Sequence, residues 1–241
     1  MDILSWWRNR RQRAGRCVLC HACAVSDGLC AGCASDLAQC RTDSANTCPS
    51  CTQTSVGAAL CGQCQQKPPP FEKLWTSVYY EPPVSNMIHA FKHQADLSMQ
   101  RPLSALMLDH APSWLAHEDI DAVMAMPLSK ERRLFRGFNQ AEGLAEAVGR
   151  HYRLPVLPRY TVFRRHRVPQ STLKREERRK NVRHAFVINN EHNQHVKNRK
   201  ILLIDDVTTT GATFEALAAT LRKAGASAVF CWALASVQMK K

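Results

Sequence analysis

Ile201-Leu202-Leu203-Ile204-Asp205-Asp206-Val207-Thr208-Thr209-Thr210-Gly211-Ala212-Thr213 is the stretch on which the fold turns. Its four leading apolar residues read as a strand buried on both faces, the pattern of a parallel sheet. Two carboxylates follow at the C-terminal edge, where open α/β sheets bind ligands. A turn of small hydroxyl residues then opens a helix predicted over Thr213 to Ala224 and stopped by Gly225. Free amides at a helix start suit a phosphate dianion. Gly211 lets the backbone approach closely, and Thr208, Thr209, Thr210 and Thr213 offer hydroxyl donors around Ala212. Adjacent carboxylates suit neighbouring ribose hydroxyls, which supply donors.

Working outward, strand-like and helix-like runs alternate. Lys73 to Tyr80 has strand content, Val84 to Phe91 is helical, and Leu103 to Leu115 is a second helix candidate. Ala122 to Leu128 reads as a short buried strand, Gln140 to Tyr152 as a helix and Ala228 to Leu234 as the last strand. The expected fold class is therefore α/β, a parallel sheet covered by helices on both faces. Lys130, Arg132, Arg133 and Arg136 follow the 122–128 strand and are candidates for a pyrophosphate or a nucleic-acid backbone. Lys67-Pro68-Pro69-Pro70 reads as a stiff spacer. It divides the chain into a basic tail (1–16), a cysteine-rich unit (17–66), a linker (67–72) and the α/β domain (73–241).

Ten of the 11 cysteines lie between Cys17 and Cys64. They include four Cys-x-x-Cys pairs, Cys17/Cys20, Cys30/Cys33, Cys48/Cys51 and Cys61/Cys64, and the second two repeat the first two 31 positions on. The unit is a duplication, and neither half has enough apolar residues to fold unaided. Two such pairs converge naturally on one tetrahedral Zn²⁺, closed to water and therefore structural. Two four-cysteine zinc sites are the direct reading; a cross-braced exchange of pairs between halves uses the same ligands. The competing disulfide framework needs a secretory context, and the N-terminal order of apolar and basic residues is wrong for a secretory signal. Cys23, Cys40 and His21 read as bystanders, and Cys231 as a small core residue.

The chain carries 33 Lys+Arg against 20 Asp+Glu, a net charge of +13. Lys130 to Arg183 alone holds 16 basic and five acidic residues, a patch suited to phosphate-bearing ligands. No apolar run of transmembrane length is present. The tail, with Trp6 and Trp7 ahead of five arginines, reads as a disordered leader or a surface-binding segment.

The 201–213 stretch resembles the signature of type I phosphoribosyltransferases. That resemblance implies that Asp205 and Asp206 hold the ribose hydroxyls of 5-phosphoribosyl pyrophosphate, that 208–213 cradles its 5-phosphate, and that Mg²⁺ bridges the pyrophosphate. Three further stretches narrow the family: Tyr80-Glu81-Pro82-Pro83-Val84 with Ile88-His89-Ala90-Phe91-Lys92; Arg132-Arg133-Leu134-Phe135-Arg136-Gly137-Phe138-Asn139-Gln140-Ala141; and Gln170-Ser171-x-Leu173 with Arg175, Arg178, Asn181 and Ala185-Phe186. With the double zinc ribbon, these are similar to the ComF/GntX family of competence and DNA-utilisation proteins. The resemblance implies a cytoplasmic protein, at the inner face of the membrane, that assists import or use of single-stranded DNA beside a competence helicase or inner-membrane channel. Its third motif resembles the loop that closes over substrate in phosphoribosyltransferases. Phe135, Phe138 and His166 are candidates to stack on bases, with core packing favoured for Phe138, while Asn139 and Gln140 suit a helix cap. Two other functions remain open at this point: an active phosphoribosyltransferase with an unidentified acceptor, and a zinc-ribbon adaptor on an α/β scaffold.

Overall fold

The computed structural model describes residues 15–22, 24–25, 28–164 and 185–238. The basic tail to residue 14, Cys23, His166 and the motif from Gln170 to Asn181 lie outside the described residues. In the first cysteine half, β1 (Gly15–Arg16) pairs antiparallel with β2 (Ala24–Val25), and helix α1 (Ala31–Ala38) starts at Cys30. In the second half, α2 (Gly62–Gln66) starts after Cys61, the residue that repeats Cys30. Thr47 bridges Thr54 there, close to the counterpart of the Arg16–Ala24 pair. The duplication read in the spacing is thus a duplication of helix starts and short pairings.

The halves are fastened to the sheet rather than hung from it. Residues 40–42, between them, lie antiparallel along the edge strand β3 (Lys73–Tyr79), with Arg41 bridging Val78. Tyr79 N–H donates to the Cys40 carbonyl at 2.8 Å, and Thr42 N–H to that of Ser77 at 3.1 Å. An otherwise open row of backbone groups is covered in this way. Phe71, just past the proline run, is buried in the core.

After β3 come helices α3 (Val84–His93) and α4 (Gln100–Asp109), strand β4 (Ala122–Ala125), and helices α5 (Lys130–Arg136) and α6 (Gln140–Tyr152). A hairpin of β5 (Val162–Arg164) and β6 (Phe186–Ile188) leads to β7 (Lys200–Thr208), α7 (Ala212–Lys223) and β8 (Ala228–Ser236). The main sheet runs β3-β8-β7-β4 with every neighbour parallel. Val156 adds an isolated parallel bridge outside β4.

Strand alternation divides the core into two layers. Leu202, Ile204, Phe230, Trp232 and Leu234 face α3, α4 and α6, where they meet Ile88, Phe91, Leu103, Leu144 and Val148. Ile201, Leu203, Val229 and Cys231 face Phe214, Leu217 and Leu221 of α7. Trp232 is fully buried, and its indole N–H donates to Ser77 Oγ at 2.9 Å. Several expectations of extent change; the short strand expected over 122–128 ends at Ala125, before Pro127. The second helix ends at Asp109, before Pro112, and not at Leu115. The decisive strand does not stop at Ile204 but continues through both aspartates to Thr208, because β8 pairs with it as far as Ser236.

Candidate functional site

β7 is flanked by β8 and β4, and the helices that follow β7 and β4 leave to opposite faces of the sheet. A crevice opens where such connections diverge. Asp205, Asp206 and Val207 stand at its floor. A cavity of about 180 Å³ lies there, lined by Asp205, Asp206 and Thr213 on one side and by Lys92, Arg132, Arg136 and Arg164 on the other.

The acid pair is deeply set. Asp206 is 8% exposed, and Lys92 Nζ lies 2.9 Å from its Oδ1. Burial, and then the charge of Asp206, push the Asp205 carboxyl up to about 7, despite the Asp206 N–H that it accepts at 2.9 Å. Arg164 reaches the same cavity from β5, with its guanidinium over the Phe186 ring. Burial pulls Arg164 below its ordinary value, and Arg132 adds to that effect.

The turn after β7 is shaped for close approach. Gly211 has φ +73°, a left-handed conformation that favours glycine, and it precedes the first turn of α7. Thr208 is buried, with its carbonyl accepting from Val237, whereas Thr209 and Thr210 are exposed. Thr210 Oγ1 lies 3.4 Å from the Ala212 amide.

The four basic candidates after β4 separate. Arg132 and Arg136 line the acid-pair cavity, whereas Lys130 and Arg133 line a neighbouring one of about 670 Å³, where Arg133 is ion-paired with Glu142. Asn139 caps α6 by accepting from Ala141 N–H, and it donates to the Met126 carbonyl at 3.0 Å. Phe138 packs against Phe91 at 5.2 Å between ring centroids, as expected of a core residue. Phe135 is 87% exposed and Leu134 75%. Gln140 is 2% exposed, its Oε1 accepting from Arg136 and its Nε2 without a partner among the described residues. A buried donor left open beside a cavity fits an acceptor group on a ligand.

The cysteines assemble by half. Cys17, Cys20, Cys30 and Cys33 form one group and Cys48, Cys51, Cys61 and Cys64 the other, with the sulfurs of each group within 4.8 Å of one another. Zn–S bonds of about 2.3 Å place tetrahedral sulfurs about 3.8 Å apart, so four thiolates at this spacing fit one Zn²⁺ per half. This is the sequential pairing, not the cross-braced one. Cys40 stands outside both groups, and Cys231 is fully buried in the core.

No protein-family model matches the chain. Curated relatives do match it. The chain is 32% identical over 211 residues to the DNA utilization protein YhgH of Escherichia coli K12, an overlap of 86% of this chain and 89% of that one. It is 30% identical over 232 residues to competence protein F of Haemophilus influenzae, covering 91% and 96%. The chain belongs to the ComF family. A more distant member is competence protein ComFC of Streptococcus pneumoniae, 27% identical over 197 residues and covering 78% and 79%. Among solved structures, the chain overlaps glutamine phosphoribosylpyrophosphate amidotransferase of B. subtilis at a TM-score of 0.37 and 15% identity, covering 56% of this chain and 25% of that one. UMP synthase of Leishmania donovani overlaps at 0.31 and 16%, covering 60% and 22%. The chain spans about a quarter of the length of these solved structures.

Two cavity cations escaped the sequence as site residues. Lys92 appears there only as part of a family stretch, although it lies four residues after Ile88 and eight after Val84, on the buried stripe of α3. That position is a signal, since a lysine is rarely placed among core residues without a partner. Arg164 offers no comparable signal within a generally basic stretch.

Proposed function

We propose that this ComF-family chain binds phosphoribosyl pyrophosphate, with Mg²⁺, in the Asp205/Asp206 cavity and single-stranded DNA along α5, and acts in DNA uptake or utilisation. One observation carries the reading: α5 serves both places. Its Arg132 and Arg136 enter the cavity, while Leu134 and Phe135 project into solvent between cations. Cations that follow a phosphate backbone, interleaved with an exposed aromatic, suit single strands of any sequence. The names of the curated relatives, DNA utilization and competence proteins, agree with that role. Zn²⁺ in each cysteine group is structural. Among the described residues no helix is long and apolar enough to cross a membrane, and the proposed place of action is the cytoplasm, at the inner face of the membrane beside the import machinery.

The test is fluorescence anisotropy of a single-stranded oligonucleotide titrated with the full chain at several salt concentrations. Contacts from Lys130, Arg132 and Arg136 alone predict a log–log slope of about −2, at about 0.7 per phosphate. Phe135→Ala should weaken binding at least about fivefold, the low end for one base–aromatic stack. A flat salt response together with unchanged binding by Phe135→Ala would refute the DNA role.

A second reading, an active phosphoribosyltransferase, is favoured by the 670 Å³ cavity that adjoins the first at Pro127, Leu128, Asn139 and Arg164. Its walls include Tyr160 and Phe163, which suit a planar acceptor. Pyrophosphate release from phosphoribosyl pyrophosphate with a panel of bases distinguishes it from binding alone.

A further inference from the structure

The two cysteine groups repeat in sequence but do not occupy equivalent places. The first faces the helical layer: a Cβ on Gly28 would meet Pro102 of α4 at 3.3 Å, and Leu37 joins the α3–α4 core. The second faces the phosphate loop. Cys51, Gln53, Cys64, Thr210, Gly211 and Glu215 line one small cavity between them.

A hydrogen bond crosses that boundary. Gln53 Nε2 donates to the Thr209 carbonyl at 3.0 Å, and Thr54 Oγ1 donates to Gln238 Oε1 at 3.0 Å beside it. The Gln53 backbone is itself held by the cysteine turn: Cys48 N–H donates to the Gln53 carbonyl at 2.8 Å, and Thr52 N–H donates back to the Cys48 carbonyl at 2.8 Å. The Gln53 side chain therefore springs from a turn that Cys48 closes and that contains Cys51.

The consequence lies in the peptide that it grips. A trans peptide is planar, with its C=O and its N–H pointing in opposite directions. Holding the Thr209 carbonyl toward the cysteine half turns the Thr210 N–H away from it. Thr209 is exposed, and no other described hydrogen bond holds its carbonyl, so Gln53 sets this plane. An amide fixed in advance binds an anion without the cost of ordering it.

We propose that the Cys48/Cys51/Cys61/Cys64 group is a metal-dependent strut for the phosphate loop, acting through Gln53 as a positioning residue. The inference rests on the assignment of 208–213 as a phosphate cradle. Metal at the second group closes the turn, the turn places Gln53, and Gln53 sets the Thr209–Thr210 peptide. Affinity for a sugar phosphate then depends on the second cysteine group and not on the first.

The test uses the full zinc-loaded chain, ribose 5-phosphate as the probe, calorimetry for affinity and elemental analysis for zinc. Gln53→Glu keeps the side-chain shape and removes the donor. It should weaken ribose 5-phosphate about five- to tenfold, the loss of one loop-ordering hydrogen bond, with zinc content unchanged. Gln53→Lys, which restores a donor at that place, should recover most of the loss. Cys48→Ser/Cys51→Ser should lose one zinc and the same affinity, whereas Cys17→Ser/Cys20→Ser should lose one zinc and leave affinity within about twofold. Equal weakening by both cysteine pairs, or wild-type affinity in Gln53→Glu, overturns the strut while leaving the phosphate loop standing. A wild-type chain that does not bind ribose 5-phosphate overturns the loop assignment itself, and the strut with it.

Discussion

Raising the pH from 6 to 8 should tighten sugar-phosphate binding, and Asp205→Asn should remove most of that dependence. In the proposed site a carboxylate that receives the ribose hydroxyls must be ionised to accept from both, and burial together with Asp206 pushes Asp205 up to about 7. A group with that midpoint is mostly protonated at pH 6 and mostly ionised at pH 8, so binding that requires the anion changes by about an order of magnitude, or about 1 kcal/mol. The phosphate itself gains a second charge near pH 6, which adds a slope of its own. Calorimetric titration of wild type and Asp205→Asn at both pH values separates the two, because the variant retains only the ligand's share. Equal pH slopes in the two proteins would refute the argument. The same group sets a stability trend of opposite sign. Its folded value lies above the unfolded one of about 3.9, so its contribution is complete below about pH 4 and is lost as pH rises through about 7. The ligand-free protein should therefore show a thermal midpoint that falls from pH 5 to pH 8, less so in Asp205→Asn.

Lys92→Met leaves Asp206 buried without its cation and should cost about 2 kcal/mol in urea unfolding, less than a fully buried pair because both side chains keep some solvent contact. Lys92→Met/Asp206→Asn should recover most of the loss. Gly211→Ala has space, with Leu74 at 3.8 Å, but imposes a left-handed conformation on alanine. About 1 kcal/mol of destabilisation is expected in the same assay, with weakened ribose 5-phosphate binding by calorimetry. Removal of zinc by a chelator should lower the thermal midpoint of the whole chain, because residues 40–42 cover the β3 edge and the cysteine halves fix them. A midpoint unchanged by chelation would separate the ribbons from the sheet energetically.

Local pattern carried much of this structure. The unbroken apolar runs of 201–204 and 228–234 specified two buried parallel strands, and helix α6 runs over the expected 140–152 with Asn139 as its cap. The 31-residue repeat placed all eight thiols in two groups because each group closes within one half, over short stretches of chain. Extent was less legible. Nothing local says that a strand continues through two aspartates. β7 does so because Ala233 and Ala235 of β8 supply a ladder opposite Asp205 and Val207.

What the sequence hid has a common cause. Lys92 meets Asp206, Arg164 meets the same cavity, and Gln53 meets Thr209 across 156 residues of chain. Each is one polar side chain whose meaning comes from a partner on another element, and no periodicity records such a pairing. The proline run illustrates the same limit from the other direction. Read alone, Lys67 to Pro70 separates two units. The edge pairing at residues 40–42 and the Gln53 bond join those units on either side of it, one along β3 and one at the loop after β7. Under the strut proposal, a zinc-dependent ribbon fastened at both places reports its own state to the sheet edge and to the proposed ligand loop. The separate effects of Cys17→Ser/Cys20→Ser and Cys48→Ser/Cys51→Ser on stability and on affinity measure how far each fastening carries.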